Sequence, residues 1–439
     1  MLAYNTRVAA KSLRRHPLLT SVIIAGIALG IWASTTFTTV RHMFARDPLP
    51  GRSQRLFYLR MDNWDPAAPY PTGAGAAKQL PIPPQITYRD SIELARSPIP
   101  LRQTADFITN VVVYPDRTIS RPYSERARLC LSDFFAMFNV PFAYGHGWDK
   151  RADTNAEQVV VIDHATNQKL FGGANSVGKR IRIADRDFTV VGVLEPWRPF
   201  IRMYDMTSNF VAEPEALYLP FTLTPRMQLR SFGNSDGWQT IGPKYEDFIA
   251  SDVDFVQFWV ELRSPSDAAA YRRFIDDYVR QQKKSGRFPR PLNNALTSMR
   301  DVMIENGVVR PQMTAMAVMS ILFLVICSMN LTGLLLSKFL ARAPEVSVRR
   351  ALGATRADIF LQHVIECEIV GVAGGIIGML LSIGTLRFIG KLISDTARFS
   401  LDMEMIGAAI LLSLVAGLLA GAYPAWRICT VQPAVQLKA

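Results

Sequence analysis

The chain has 439 residues, with 49 Lys and Arg against 37 Asp and Glu and a net charge of +12. Its hydrophobic share of 49% excludes intrinsic disorder, and 4 Cys are too few for a disulfide scaffold. The length predicts two or three domains, and the basic balance leaves nucleic acid open as a partner until the layout of charge is read.

Residues 1–17 carry Arg7, Lys11, Arg14 and Arg15 and no acid. The stretch Tyr4–Leu13 is amphipathic and is predicted to lie as a helix along the cytoplasmic membrane surface. Residues 18–40 hold no charge. About 20 apolar residues cross the hydrocarbon core, so 18–43 is predicted as transmembrane helix 1. Its apolar run is too long for a signal peptide and no A-x-A site follows, so it reads as a retained anchor.

Residues 44–310 form the next domain, predicted as mixed α/β with two lobes. Leu56–Met61, Ile108–Tyr114 and Phe255–Leu262 read as strands. Gln85–Arg96 reads as a helix after Pro83–Pro84, and Ser132 reads as the N-cap of a helix over Ser132–Phe138. Val159–Ile162 leads into a helix that ends at Phe171-Gly172-Gly173. Val177–Ile183 and Phe188–Leu194 form a hairpin with its turn near Ala184–Asp187. The stretch 196–255 reads as a second, irregular or β-rich lobe. Ala268–Lys284 is a helix with Tyr271, Phe274, Ile275 and Tyr278 on one side. Val302–Pro311 is expected to run on as a helix into the next span.

Three further spans follow. Residues 311–337 and 405–427 are the second and fourth, and 361–386 is the third. The uncharged part of the third, 369–386, extends back to Leu361 and so brings Glu366 and Glu368 to the membrane. Buried in lipid such a carboxylate is costly, so it faces the interface, protein or water, and a proton relay is the alternative. Gly371, Gly374, Gly375 and Gly378 in the third span, and Gly417 and Gly421 in the fourth, are close-packing positions.

Lys and Arg flanking the spans set orientation. Residues 1–20, the loop 338–358 and the tail 428–439 with Arg427 hold 11 basic and 2 acidic residues, so +9 of the total +12 lies beside the spans on one side. Both termini and the 338–360 segment are therefore predicted cytoplasmic. The 44–310 domain and the short loop 387–404 are predicted outside. The charge is a topology signal, which removes nucleic acid as a partner. The fold expected is an α-helical membrane protein with four transmembrane helices and the α/β domain inserted between helices 1 and 2.

No catalytic constellation emerges. The five histidines, His16, His42, His146, His164 and His363, form no H-E-x-x-H or close metal pair. Ser231 and Ser235 lack a nucleophile elbow. Phe171-Gly172-Gly173 with Gly178-Lys179 lacks phosphate-loop spacing and reads as two turns that need positive φ. No cofactor or metal is expected on the chain, and Cys130 is the one cysteine in the 44–310 domain, so no intrachain disulfide is expected there.

The segment after the second span reads Glu345, Val346, Val348, Arg349–Arg350 and Ala351-Leu352-Gly353-Ala354-Thr355. An acid, an apolar step, a basic pair and A-L-G-A-T closely resemble the coupling region of FtsX-like ABC transporter permeases. Gly421–Arg427 with Val431, Pro433 and Ala434 resembles that family's ending. Residues 132–148 and 159–196 look like the periplasmic core domain of MacB-type permeases. The resemblance implies a type VII transporter permease in a bacterial inner membrane, without enzymatic activity of its own. It implies a second permease, identical or paralogous, and a cytoplasmic ATPase dimer that holds ATP and Mg2+. Because the chain carries no Walker A motif, the motor is expected on a separate chain. Carried onto this sequence, the docking segment is about Ala341–Asp358, with Glu345, Val348, Arg349, Arg350, Leu352, Gly353 and Arg356 as its site residues. The alternative for this basic helix is attachment to anionic lipid alone. Export of an amphiphile such as a peptide or antibiotic is the first function implied, with mechanical transmission through long stalks at about 28–45 and 300–337. Lipoprotein extraction and regulation of an envelope hydrolase or sensor kinase are the alternatives. A periplasmic adaptor or lipoprotein is a further possible partner.

Overall fold

The computed structural model describes residues 17–71, 82–115, 121–207, 210–233, 235–308, 310–393 and 403–430. The Tyr4–Leu13 helix, residues 394–402 of the 387–404 loop and the tail from 431 lie outside the described residues. The described chain divides into two compact units. One takes the chain up to Arg46 and again from Arg310 onward, and the other is 47–308.

Helix α1 covers Pro17–Ala45. The α/β unit then runs β1 (Leu56–Arg60), β2 (Ile86–Thr87), α2 (Tyr88–Leu94), β3 (Arg102–Tyr114), β4 (Tyr123–Cys130), α3 (Asp133–Met137), β5 (Phe142–Gly145) and α4 (Lys150–Asn155). It continues with β6 (Val159–Ile162), α5 (His164–Phe171), β7 (Arg180–Ile183), β8 (Arg186–Leu194), β9 (Leu217–Pro220), α6 (Tyr245–Ala250), β10 (Asp254–Glu261), α7 (Pro265–Lys284), β11 (Ala295–Ser298) and α8 (Met299–Glu305). The 11 strands form one mixed sheet, ordered β11-β1-β10-β3-β4-β9-β6-β8-β5, with β2 on β10 and β7 bridging β3 and β8. The β4–β9 and β6–β8 pairs are parallel.

Strand β10 is buried along its whole length. A strand between β1 and β3 with both faces covered has no solvent side, which is why its sequence runs apolar rather than alternating. Its register sets Val260 opposite Phe57 and Trp259 opposite Thr104. Phe107, Phe255 and Phe221 meet edge to face in the core beside it. Helix α7 buries Tyr271, Ile275 and Val279, one stripe at helical spacing.

Local chemistry explains most boundaries. The helix read from Gln85 begins only at Tyr88, because Thr87 accepts from Asp90 N and caps α2 while Ile86–Thr87 pairs with β10. Asp163 caps α5, and Gly172 ends it at φ +67 with Gly173 at +82, so the double glycine is a helix stop. The β7–β8 hairpin turns at Ala184 and Asp185, both with positive φ. Ser132 precedes α3 but makes no capping bond. Strand β4, which the sequence reading missed, brings Arg128 into a fully buried ion cluster. Arg128 bonds Asp106, Asp205 at 2.7 Å and Glu215 at 2.9 Å, and Arg202 bonds Glu215 at 2.8 Å. These pairs tie the 202–215 stretch to β3 and β4. Burial pushes the Asp106 carboxyl up to about 8 against the opposing pull of Arg128.

The second unit contains α9 (Pro311–Leu340), α10 (Ala343–Ala351), α11 (Arg356–Ile393) and α12 (Met403–Cys429) besides α1. Helices α1, α9, α11 and α12 are each long and apolar enough to cross a membrane. Each of α9 and α11 packs on both α1 and α12, which makes a four-helix bundle. The glycine face of α11 divides between two neighbours. Gly374 and Gly378 meet α1, where a Cβ at Gly378 would lie 2.6 Å from the Ala28 carbonyl oxygen. Gly371 and Gly375 meet Ser413 and Gly417 of α12. Polar bonds add to this packing: Trp32 Nε1 donates to Thr385 Oγ1 at 2.8 Å and Thr36 bonds Ser382 at 3.3 Å. Helices α8 and α9 are separate, contrary to the continuous helix expected from Val302. Gly307 takes φ +68 and Pro311, lacking an amide proton, starts a new helix.

Candidate functional site

The segment between α9 and α11 folds as the short helix α10. Pro344 sits in its first turn, where a missing amide proton costs nothing. Its end is set by Gly353 at φ +101, where Gly353 N and Ala354 N bond back to Arg350 O and Arg349 O. Thr355 and Asp358 then form a reciprocal cap at the start of α11. Asp358 N donates to Thr355 Oγ1 at 3.2 Å, and Thr355 N donates to Asp358 Oδ2 at 3.1 Å. The Ala351–Thr355 run is thus a helix stop, a turn and a helix start in five residues.

Helix α10 has two faces. Ala343, Val346 and Ser347 are buried against the bundle. Val348, Ala351 and Leu352 are exposed, Leu352 at 83%. An exposed leucine beside an exposed valine on a helix otherwise fixed from below is a small apolar edge aimed away from the bundle.

The underside is held by charge. Lys338 Nζ of α9 lies 2.6 Å from Glu366 Oε1 of α11, with both side chains 1% exposed. Arg342 Nη1 reaches Glu366 Oε2 at 3.4 Å and Arg342 Nε reaches Glu345 Oε2 at 3.5 Å. Arg349 completes the chain, with Glu345 Oε1 at 3.3 Å and Gln362 Oε1 at 3.0 Å. Below them His363 packs edge-on to Phe339 at 4.5 Å and bonds the Ile359 carbonyl at 2.8 Å. The Lys338–Glu366 pair is deeply buried and directional, and Arg342 links it to the half-exposed Glu345 and so to Arg349, which ties α10 to α9 and α11.

The seven residues singled out from sequence therefore separate. Val348, Leu352 and Arg356 are exposed at the surface. Gly353 makes the turn. Glu345 and Arg349 face each other at half-exposed positions, and Arg349 is engaged by Glu345 and Gln362 of its own chain. Arg350 is half-buried. The site residues read from sequence did not include Lys338, Gln362 or His363, and Glu366 was placed only as far as the interface or a protein contact. The available signal was Glu366 itself, since a carboxylate next to a span requires a cation, and Lys338 is the nearest one at the adjoining span end. Glu368 lies beside Gly417 of α12, where the glycine leaves room for a carboxylate.

Among the described residues no group of three or more His, Cys, Asp or Glu is placed to hold a metal ion. What the arrangement supplies is a rigidly seated surface helix.

Comparison with known proteins matches both parts of the chain. The MacB-like periplasmic core domain matches residues 20–278, and the FtsX-like permease C-terminal domain matches residues 317–433. The macrolide export ATP-binding/permease protein MacB of Acinetobacter baylyi is 24% identical over 70% of this chain and 41% of its own length. The pyoverdine export ATP-binding/permease protein PvdT of Pseudomonas aeruginosa is 27% identical over 70% of this chain and 41% of its own. The chain thus spans about two fifths of the length of these relatives. The periplasmic region of MacB from Actinobacillus actinomycetemcomitans aligns over 59% of this chain and 97% of its own at 11% identity, with a TM-score of 0.37. Both matched domains are of permease type and neither is a nucleotide-binding domain. With four membrane-length helices and a large periplasmic α/β domain between the first and second, the chain belongs to the MacB/FtsX-type family of ABC transporter permeases.

Proposed function

We propose that this chain is the permease subunit of a type VII ABC transporter in a bacterial inner membrane, with both termini cytoplasmic. It pairs with a second permease, and α10 docks on a cytoplasmic ATPase dimer that binds ATP and Mg2+. Closure of the ATPases moves α10, and the bundle passes that motion to the periplasmic domain, which drives an amphiphile outward. The relatives named for macrolide and pyoverdine export support export over the other activities of such permeases.

The observation that carries this reading is the seating of α10. A helix bound beneath by Lys338, Glu366, Arg342, Glu345 and Arg349 transmits a push rather than folding away, while Val348 and Leu352 stay free to enter a partner's groove. A helix held only by anionic lipid would leave its basic residues unpaired, whereas the half-exposed Arg349 pairs with Glu345 and Gln362.

The test is affinity purification from native membranes, comparing wild type with a Val348→Glu/Leu352→Glu variant. Both positions are exposed, so the fold is unaffected. Recovery of the accompanying ATPase is expected to fall at least about tenfold, as two buried apolar contacts of roughly 1 kcal/mol or more each are lost. Undiminished ATPase recovery would count against docking through α10.

A further inference from the structure

The stretch 197–207 of the periplasmic domain forms no helix or strand, yet Ile201 to Met206 are all buried. It is a strap laid on the sheet. Trp259 Nε1 of β10 donates to the Tyr204 carbonyl at 3.2 Å, and Met206 N donates to Gln257 Oε1 of the same strand at 2.6 Å. The Arg128 guanidinium of β4 lies 4.6 Å from the centre of the Tyr204 ring. The strap also touches α8, the last helix before the second span, where Asn306 Nδ2 donates to Met206 Sδ at 3.8 Å.

The charges under the strap do not balance. Arg128 and Arg202 meet three carboxylates, Asp106, Asp205 and Glu215, and all five side chains are at most 1% exposed. Asp106 gives one oxygen to Arg128, while its Oδ2 is buried and accepts no hydrogen bond among the described residues. Asp106 faces Arg128 and the Cys130 thiol of β4, the Tyr58 hydroxyl of β1, Asp205 of the strap, and Glu215. From β10 it faces the uncharged Gln257. Arg202 reaches this set through Asp205 and Glu215. With every carboxyl ionised, one net negative charge would be held out of water, which is costly. A proton on Asp106, the carboxyl with the orphaned oxygen, removes that charge, and burial pushes Asp106 up to about 8.

We propose that the 197–207 strap is a pH-sensitive latch, shut on the sheet while Asp106 is protonated and released as that proton is lost. Opening admits water to Asp106, which then titrates at the ordinary value of about 4. Below that value Asp106 is protonated in both states and pH has no effect. Between about 4 and about 8 it is ionised only in the open state, so each pH unit favours opening by up to about tenfold. Above about 8 the effect levels off. Release of Met206 withdraws its contact with Asn306, so pH is felt at the helix that leads to the second span.

The experiment is hydrogen exchange of the full chain in lipid nanodiscs, read on the 197–207 amides after correction for the chemical exchange rate, with the β10 amides as reference. The strap is expected to exchange through a smaller opening than β10. That opening should grow roughly 50- to 100-fold from pH 5.5 to 7.5. Asp106→Asn should open equally at both pH values, with Asp106→Ser as the second variant if the first does not fold. Thr207→Val removes a 3.3 Å bond to Asp205 and loosens the strap without touching Asp106, so its pH dependence should persist. Strap exchange that coincides with that of β10, or that is the same at the two pH values in wild type, overturns the proposal. PH dependence retained in the Asp106 variants, or lost in Thr207→Val, does so too.

Discussion

The pair Lys338–Glu366 is the point at which the seating of α10 is open to direct attack. Lys338→Met keeps the length and apolar stem of the side chain and removes the ammonium. Glu366 is then left 1% exposed, with Arg342 still beside it at 3.4 Å. Breaking a buried pair from one side costs about 3–5 kcal/mol, because the surviving charge stays desolvated. Since Arg342 still compensates in part, the lower end, about 3 kcal/mol, is the expected loss. Arg342 also holds Glu345, so the loss is felt in α10 as well as at the pair. At 1.4 kcal/mol per tenfold, local opening of 343–351 should rise by roughly two orders of magnitude. Hydrogen exchange of the α10 amides in nanodiscs reads this directly, with the amides of β10 as an internal reference. The double variant Lys338→Met/Glu366→Leu removes both charges and should recover most of the protection, to within about 1–2 kcal/mol of wild type. Unchanged exchange across 343–351 in the single variant, or no recovery in the double one, would refute the claim that this pair seats the helix.

Three other outcomes are expected. Gly378→Ala should destabilise the bundle by about 1–3 kcal/mol, since the new methyl would sit 2.6 Å from the Ala28 carbonyl oxygen, whereas Gly384→Ala, with no atom within 4 Å, should be harmless; thermal unfolding in detergent separates them, and equal melting would remove the close-approach argument. Asp106 holds its proton to about pH 8 in the folded chain but loses it near 4 when unfolded, so its contribution to stability falls as pH rises through that window, by about 1 kcal/mol per pH unit. Asp106→Asn should flatten this slope, and parallel stability profiles of the two proteins between pH 5.5 and 8.5 would contradict the assignment. Asp163→Ala removes the bond to Thr166 N at 2.7 Å and should cost about 1 kcal/mol, seen as a drop of roughly 2 °C in the melting of the periplasmic domain; an unshifted melt would mean that this cap is dispensable.

Several elements were legible before any coordinates. The four long helices follow from charge-free runs, because hydrocarbon excludes charge at that length. β10, the β7–β8 hairpin and α7 follow from apolar content and period, and the glycine pair after α5 from the need for a helix stop. The α10 segment was visible as a motif, and its exposed edge at Val348 and Leu352 followed from helical spacing. Strand β4 was not legible, since SERARLC alternates charge with apolar residues and Arg128 reads as a surface arginine. Its partners Asp106, Asp205 and Glu215 lie 22, 77 and 87 positions away.

The same reason limits the site. Sequence by itself determined that the chain has four membrane-length apolar helices, an excess of basic residues in three segments that flank them, a large inserted α/β domain and a short basic helix between the second and third spans. It did so because hydropathy, charge bias and helix punctuation are properties of neighbours along the chain. Only the tertiary structure decided which of those charges are spent inside the molecule. Arg349 is consumed by Glu345 and Gln362, and Lys338 meets Glu366 across 28 positions. Whether a charge is buried and paired depends on what the fold brings opposite it, and that is settled by packing between helices rather than by the residues on either side.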